Sequence, residues 1–135
     1  MLLVDSSVWI DTECAIASDA TRFLATRDES DELATTGIIV QEVLQGMRSD
    51  KRFEAWRQKF WGMLILEPRE LSTFEVAADL YRRARRKGLT VRKPNDCLIA
   101  ALALEHGALL IHNDRDFIAL AQVEPALLVF PGRPH

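Results

Sequence analysis

Cysteine is nearly absent. Cys14 and Cys97 are the two in 135 residues, too few for a disulfide framework, which points to a reducing cytoplasm. Glycine (6) and proline (5) are sparse, so collagen-like and low-complexity chains are excluded. No apolar run approaches the roughly 18–20 residues that a membrane span needs, so no membrane association is expected. The opening Met1-Leu2-Leu3-Val4-Asp5 meets an acid too early for a signal peptide, and no basic stretch precedes it. Positive charge is in the minority: 17 Lys and Arg face 20 Asp and Glu, for a formal charge of -3. Bulk charge therefore does not draw this chain to nucleic acid, and any such chemistry needs local basic patches or bound cations. Neither G-x-x-x-x-G-K nor G-x-G-x-x-G occurs, so nucleotide-binding readings lack their key element. No nucleophile–base pair for covalent catalysis stands out.

What is present is ordinary for a folded protein: 48% apolar and 27% charged residues. The length suits a single domain over residues 1–135. Short apolar runs alternate with stretches of helical period. Strands are predicted at Met1–Val4, Leu33–Ile39, Met63–Leu66, Ala108–Ile111 and Leu127–Phe130. Helices are predicted near 19–27, 40–47, 51–61, 72–87, from Pro94 to Gly107, and at 117–121. Ser18 or Asp19 suits the first helix cap, and Ser72-Thr73-Phe74-Glu75 has the spacing of a capping box. Strands separated by helices imply right-handed crossovers. The fold class is α/β, a three-layer α/β/α sandwich around a mostly parallel sheet. In such sheets, sites lie outside the carboxyl ends of the strands.

That rule makes the acids informative. Asp5 follows the first strand, Glu42 lies one turn into the helix after the second, and Asp114 follows the fourth. Asp96 opens a helix that runs antiparallel to the strands, so it starts at the same edge. Each has a bland alternative: Asp96 as a helix N-cap, Asp114 or Asp116 as the cap before Phe117, Glu42 as a surface acid. Asp5 is hardest to dismiss, because a charge straight after an apolar strand needs a partner. Four converging carboxylates repel one another unless a cation lies among them. With no His or Cys ligand set, the fitting cations are hard ones, Mg²⁺ or Mn²⁺ rather than Zn²⁺. The chemistry that suits them is phosphodiester hydrolysis by metal-activated water.

These residues resemble a known family. Met1-Leu2-Leu3-Val4-Asp5-Ser6-Ser7-Val8-Trp9-Ile10-Asp11 looks like the opening of PIN-domain proteins, especially VapC-type toxins of toxin–antitoxin pairs. Gln41-Glu42-Val43-Leu44-Gln45-Gly46, Pro94-Asn95-Asp96-Cys97-Leu98-Ile99-Ala100-Ala101-Leu102-Ala103 and Leu109-Leu110-Ile111-His112-Asn113-Asp114-Arg115-Asp116-Phe117 are similar to the family's later motifs. Their order covers nearly the whole chain. The resemblance implies a Mg²⁺- or Mn²⁺-dependent endoribonuclease silenced by a cognate antitoxin. It implies a catalytic metal site of Asp5, Glu42, Asp96 and Asp114, with Ser7 supporting Asp5 and Asp116 as an auxiliary acid or cap. Homodimers are typical of such proteins. His112 departs from the family, which often carries a small hydroxyl residue there; a packed strand-end histidine is the preferred reading over a substrate contact.

Seven of the 17 basic residues fall within 12 positions, Arg82 to Lys93. Arg82 and Arg83 read as a solvated helix face. Arg92, just ahead of Asp96, is a candidate phosphate contact, the kind that positions a strand without reading it. Phe53, Trp56 and Phe60 have core spacing, and with the helix at 72–87 they offer a groove for an antitoxin helix. His106 and His135 have no ligand set around them, and Cys97 reads as a small buried residue. Two other functions compete. One is a non-catalytic RNA- or protein-binding module on the same fold, which has no need of four converging carboxylates. The other is phosphoryl transfer with Asp5 as nucleophile, but Ser6-Ser7 stand where that pattern needs a second Asp.

Overall fold

A computed structural model describes residues 1–132. The elements run β1 (Leu2–Val4), α1 (Ser6–Glu13), α2 (Asp19–Thr26), β2 (Leu33–Thr35), α3 (Gly37–Gln45), α4 (Asp50–Trp61), β3 (Leu64–Ile65), α5 (Ser72–Arg86), α6 (Pro94–His106), β4 (Leu109–Ile111), α7 (Arg115–Val123) and β5 (Val129–Phe130). The five strands form one sheet in the order β3-β2-β1-β4-β5. Every pairing is parallel, with Leu3 opposite both Ala34 and Leu110. The fold is therefore a three-layer α/β/α sandwich with an all-parallel sheet. Leu3, Val4, Leu110 and Ile111 are completely buried, as strands covered on both faces must be.

The chain moves outward from β1 through β2 to β3, then returns to the other side of β1 for β4 and β5. The strand order thus reverses between β1 and β4, and a crevice opens at their carboxyl ends. The helices fall in two groups. α1 packs on α2 and α3, and α3 on α4; α5, α6 and α7 pack on one another. α6 is buried on most of its sides, from Cys97 through Ala103. Its run of alanines permits this close approach. Gly107, with φ +66°, takes the left-handed conformation that ends α6 and turns the chain into β4.

Three expectations are corrected. The strand predicted at Leu33–Ile39 ends at Thr35, and Ile38, Ile39 and Val40 are already helical. Their β-branched side chains favour a strand, but burial of Ile39 and Val43 on one helical face decides otherwise. Helix α1 was not foreseen. Its helical apolar period is weak, and what starts it is Asp5, whose side chain accepts the Ser7 backbone N–H. The capping box at Ser72 does not form. Leu71 is already in the helical region, and the Ser72 hydroxyl donates to Glu70 instead. Ser18 does cap α2, in a capping box completed by Thr21.

Trp56 and Phe60 are buried as the spacing predicts, while Phe53 is 41% exposed and Trp61 75%. The Trp56 ring meets Trp9 at 5.5 Å and Phe60 at 5.8 Å, and its indole N–H donates to Glu13. Trp56→Ala should therefore cost about 3–5 kcal/mol. Trp61→Ala should stay within about 0.5 kcal/mol. Urea unfolding of both variants checks this contrast, and equal losses would contradict it.

Candidate metal centre

Four carboxylates reach the carboxyl edge from four elements. Asp5 stands at the end of β1 and Asp114 three residues past Ile111, the last residue of β4. Glu42 lies in the second turn of α3, and Asp96 in the first turn of α6. Asp96 is not the N-cap; that position is Lys93, and no side chain caps α6. Asp114 is the cap of α7, accepting the Asp116 backbone N–H at 2.9 Å. The four are close enough to act on one another: Asp114 disfavours ionisation of Asp5, and Asp5 and Asp114 both disfavour ionisation of Glu42 and Asp96. Ligand oxygens of Asp96, Asp114 and Asp116 lie within 4.8 Å of one another.

Asp5 and Asp96 are each 1% exposed. Burial, first of all, pushes Asp5 and Glu42 above the usual carboxylate range. It pushes Asp96 up to about 8, helped by the neighbouring Asp5 charge. Asp114 goes the other way. Burial raises it, but the Lys93 hydrogen bond, the Asp116 N–H and the Lys93 and Arg92 charges together bring it below its ordinary value. Among the described residues, three buried carboxylate oxygens accept no hydrogen bond: Asp5 Oδ1, Glu42 Oε1 and Asp96 Oδ2. Orphaned buried carboxylate oxygens are costly and call for an explanation. A hard cation supplies one, since oxygen is its preferred ligand, so the donors present fit Mg²⁺ or Mn²⁺.

A set of hydrogen bonds fixes these acids. The Ser7 hydroxyl donates to Asp5 Oδ2 at 2.6 Å and accepts the Asn113 backbone N–H at 3.0 Å. The Asn113 side-chain amide donates to Asp11 at 2.7 Å. Asp116, 1% exposed, accepts the backbone N–H groups of Arg92 and Lys93 at 3.1 and 3.2 Å. It is the anchor of the loop that delivers Asp96. Arg92 is half-exposed, with its guanidinium 3.4 Å from Asp114 and 3.6 Å from Asp116.

His112 is buried. Its Nδ1 accepts the Asp114 backbone N–H at 3.1 Å, so Nε2 carries the proton and donates to Pro131 O at 2.9 Å. Burial lowers its pKa. It is a satisfied strand-end histidine. His106 bonds the Glu67 carbonyl, and His135 lies outside the described residues. Cys97 is buried with its thiol pushed up to about 11 by burial, and neither it nor Cys14 is in a disulfide. Sequence reasoning missed two things. Lys93 was noted only within a basic run, yet its Nζ lies 2.6 Å from Asp114 Oδ2. Its i,i+3 spacing to Asp96 was the available signal. The anchoring role of Asp116 has no sequence signature, because its partners are backbone groups 23 and 24 residues away.

In metal-free protein the fold holds a proton on Asp96 that the unfolded chain has released between pH 3.8 and about 8. Stability therefore falls as pH rises through that window. Asp5 and Glu42 act in the same sense, whereas Asp114, held below its ordinary value, affects stability only at pH below that window. In EDTA, the melting temperature should drop by several degrees from about pH 5.5 to about pH 8, and Asp96→Asn should remove most of the drop. A wild-type melting temperature that is flat or rising over that range would contradict the burial of Asp96.

The PIN domain family model matches residues 2–123. The chain is 37% identical over 127 residues to VapC ribonuclease Mb1587 of Mycobacterium bovis, covering 91% of this chain and 93% of that protein. In structure it resembles a chain of a toxin–antitoxin complex from Klebsiella pneumoniae, with TM-score 0.71, 19% identity, and 99% and 100% of the two chains covered. It also resembles a chain of VapBC-1 from nontypeable Haemophilus influenzae, with TM-score 0.70, 16% identity and 95% of each chain covered. With the four motifs in order on one sheet edge, the chain belongs to the PIN-domain family, in its VapC branch.

Proposed function

We propose that the protein is a Mg²⁺- or Mn²⁺-dependent endoribonuclease, the toxin of a toxin–antitoxin pair, acting in the cytoplasm. The observation that carries this reading is the trio of buried, unpartnered oxygens on Asp5, Glu42 and Asp96. They lie on the sheet edge where an open α/β fold places its site. The relatedness to VapC ribonucleases supports RNA as substrate. Asp5, Glu42, Asp96 and Asp114 would hold the cation. When bound, the cation lowers the pKa of a water and offsets charge developing on the scissile phosphate.

The chain's own residues do the positioning. Ser7 holds Asp5, and Asp116 holds the loop before Asp96. The half-exposed Arg92 guanidinium borders this edge and is placed to grip an RNA phosphate. The basic run of α5 contributes less. Arg83 is tied to the Val123 carbonyl and to Glu124, and Arg86 faces Asp79.

The partners follow from the surface. Val40, Leu44, Phe53, Phe60, Trp61 and Ile65 line an apolar groove of about 420 Å³ between α3, α4 and β3. It suits the apolar face of an antitoxin helix. The helix α5, expected to share that groove, instead sends Phe74 into a neighbouring hollow with Ile38 and Leu98. A homodimer with twofold symmetry is the expected assembly.

Purified chain free of antitoxin should cleave RNA with Mg²⁺ or Mn²⁺ and stop in EDTA. Asp5→Asn, Glu42→Gln, Asp96→Asn and Asp114→Asn should each lower the rate by roughly 100-fold or more. Cleavage that survives both EDTA and Asp5→Asn would sink the mechanism, and metal-independent RNA binding without turnover would favour a binding module. Arg92→Ala should weaken RNA affinity; unchanged affinity and rate would remove Arg92 from the site. Trp61→Glu should abolish co-purification with the antitoxin while cleavage persists, and an intact complex would move the antitoxin elsewhere.

A further inference from the structure

The acidic edge carries a cation of its own. Lys93 Nζ lies 2.6 Å from Asp114 Oδ2 and 4.0 Å from Asp96 Oδ2. Its charge also acts on Asp5 and Glu42. One ammonium therefore pairs with Asp114, lies near Asp96, and eases the ionisation of Asp5 and Glu42 from farther off. The root of the side chain is fixed: the Lys93 N–H donates to Asp116, and Pro94 follows as the first residue of α6. The Lys93 side chain is 49% exposed, with room to swing outward.

Arg92 does not duplicate this role. Its guanidinium pairs with Asp114 Oδ1 and Asp116 Oδ1 and makes no ion pair with Asp96. Lys93 also leaves work undone, because Asp5 Oδ1, Glu42 Oε1 and Asp96 Oδ2 still lack hydrogen bonds. A single positive charge with three donors is too little for this cluster. A divalent cation held by Asp114 and Asp96 would compete with the ammonium for the same carboxylates, because like charges repel.

We propose that Lys93 is the internal counter-ion of the acidic edge in the metal-free protein, and that a divalent cation binds by displacing its ammonium from Asp114 and Asp96. The proposal rests on the metal-dependent reading above. It makes Lys93 a positioning residue rather than a catalytic one. In the absence of metal it steadies the charge of Asp114 and favours ionisation of the neighbouring acids. In the presence of metal it competes, and so sets the concentration at which the site fills.

The test is Mn²⁺ titration, by calorimetry and by the electron paramagnetic resonance signal of free Mn²⁺, on wild type, Lys93→Gln and Lys93→Arg. Melting temperatures in EDTA accompany it. Lys93→Gln should bind Mn²⁺ about tenfold more tightly or better, since a unit charge a few ångströms away is removed. The gain should shrink in high salt, because the side chain is partly exposed. The same variant should melt lower in EDTA, and Lys93→Arg should restore wild-type behaviour in both measurements. Should Lys93→Gln unfold in EDTA and refold with Mn²⁺, the counter-ion role is supported.

Unchanged or weaker Mn²⁺ affinity in Lys93→Gln, with wild type binding normally, overturns the proposal and leaves the metal site standing. That result with weakened RNA affinity would assign Lys93 to phosphate instead. No Mn²⁺ binding by either protein overturns the metal-dependent function itself. Binding by Lys93→Gln where wild type shows none supports the proposal.

Discussion

Like charges that must meet are the constraint on which this structure turns. Asp5, Glu42, Asp96 and Asp114 come from elements far apart in sequence, and each placement raises the electrostatic cost of the others. Three of the four have their pKa values pushed upward, by burial first and by neighbouring carboxylates after it. The exception, Asp114, is the one that has an ammonium at 2.6 Å. Such an arrangement persists only when the surrounding structure over-determines it. The short all-parallel sheet does so by ending adjacent strands β1 and β4 at the same level, where the strand order reverses.

The supporting bonds are mostly to backbone, and they tie distant segments together. Ser7 links Asp5 to the turn at Asn113, so β1, α1 and β4 share one network. His112 links the Asp114 backbone to Pro131, just beyond β5. The first bond requires neutral imidazole, because Nδ1 accepts in it, and Nε2 then carries the proton given to Pro131. Burial against Phe117 favours that form. The residue that departs from the family pattern thus performs a bonding role at the same level of the sheet.

The fold was legible where the apolar period was strong. Buried strands and the helices at Trp56 and Leu98 could be read from sequence, because burial imposes the period. α1 was not legible: it is short and rich in β-branched residues, and a cap rather than an apolar stripe defines it. The end of β2 was misread because Ile38-Ile39-Val40 satisfies strand propensity while tertiary packing makes it a helix. The site shows the same division. The expectation that four acids meet rested on sheet topology, a global rule that sequence can invoke. The spacing of Lys93 to Asp96 hints at one contact, but its contact with Asp114 depends on side-chain direction and the place of Asp116 on backbone partners, which spacing does not encode.

The net negative charge acquires a meaning in this setting. A chain with a formal charge of -3 and Asp5, Glu42, Asp96, Asp114 and Asp116 on one edge repels a phosphodiester there. The basic residues nearest that edge are already engaged, Lys93 with Asp114 and Arg92 with Asp114 and Asp116. Their charge is spent on the protein itself. Under the proposed function, a divalent cation changes both terms at once. It neutralises the carboxylates, and it releases their basic partners to face outward toward phosphate. Metal binding and RNA binding would then be one coupled equilibrium rather than two independent events. Coupling of that kind is reciprocal, so RNA would tighten the cation by the same factor that the cation tightens RNA.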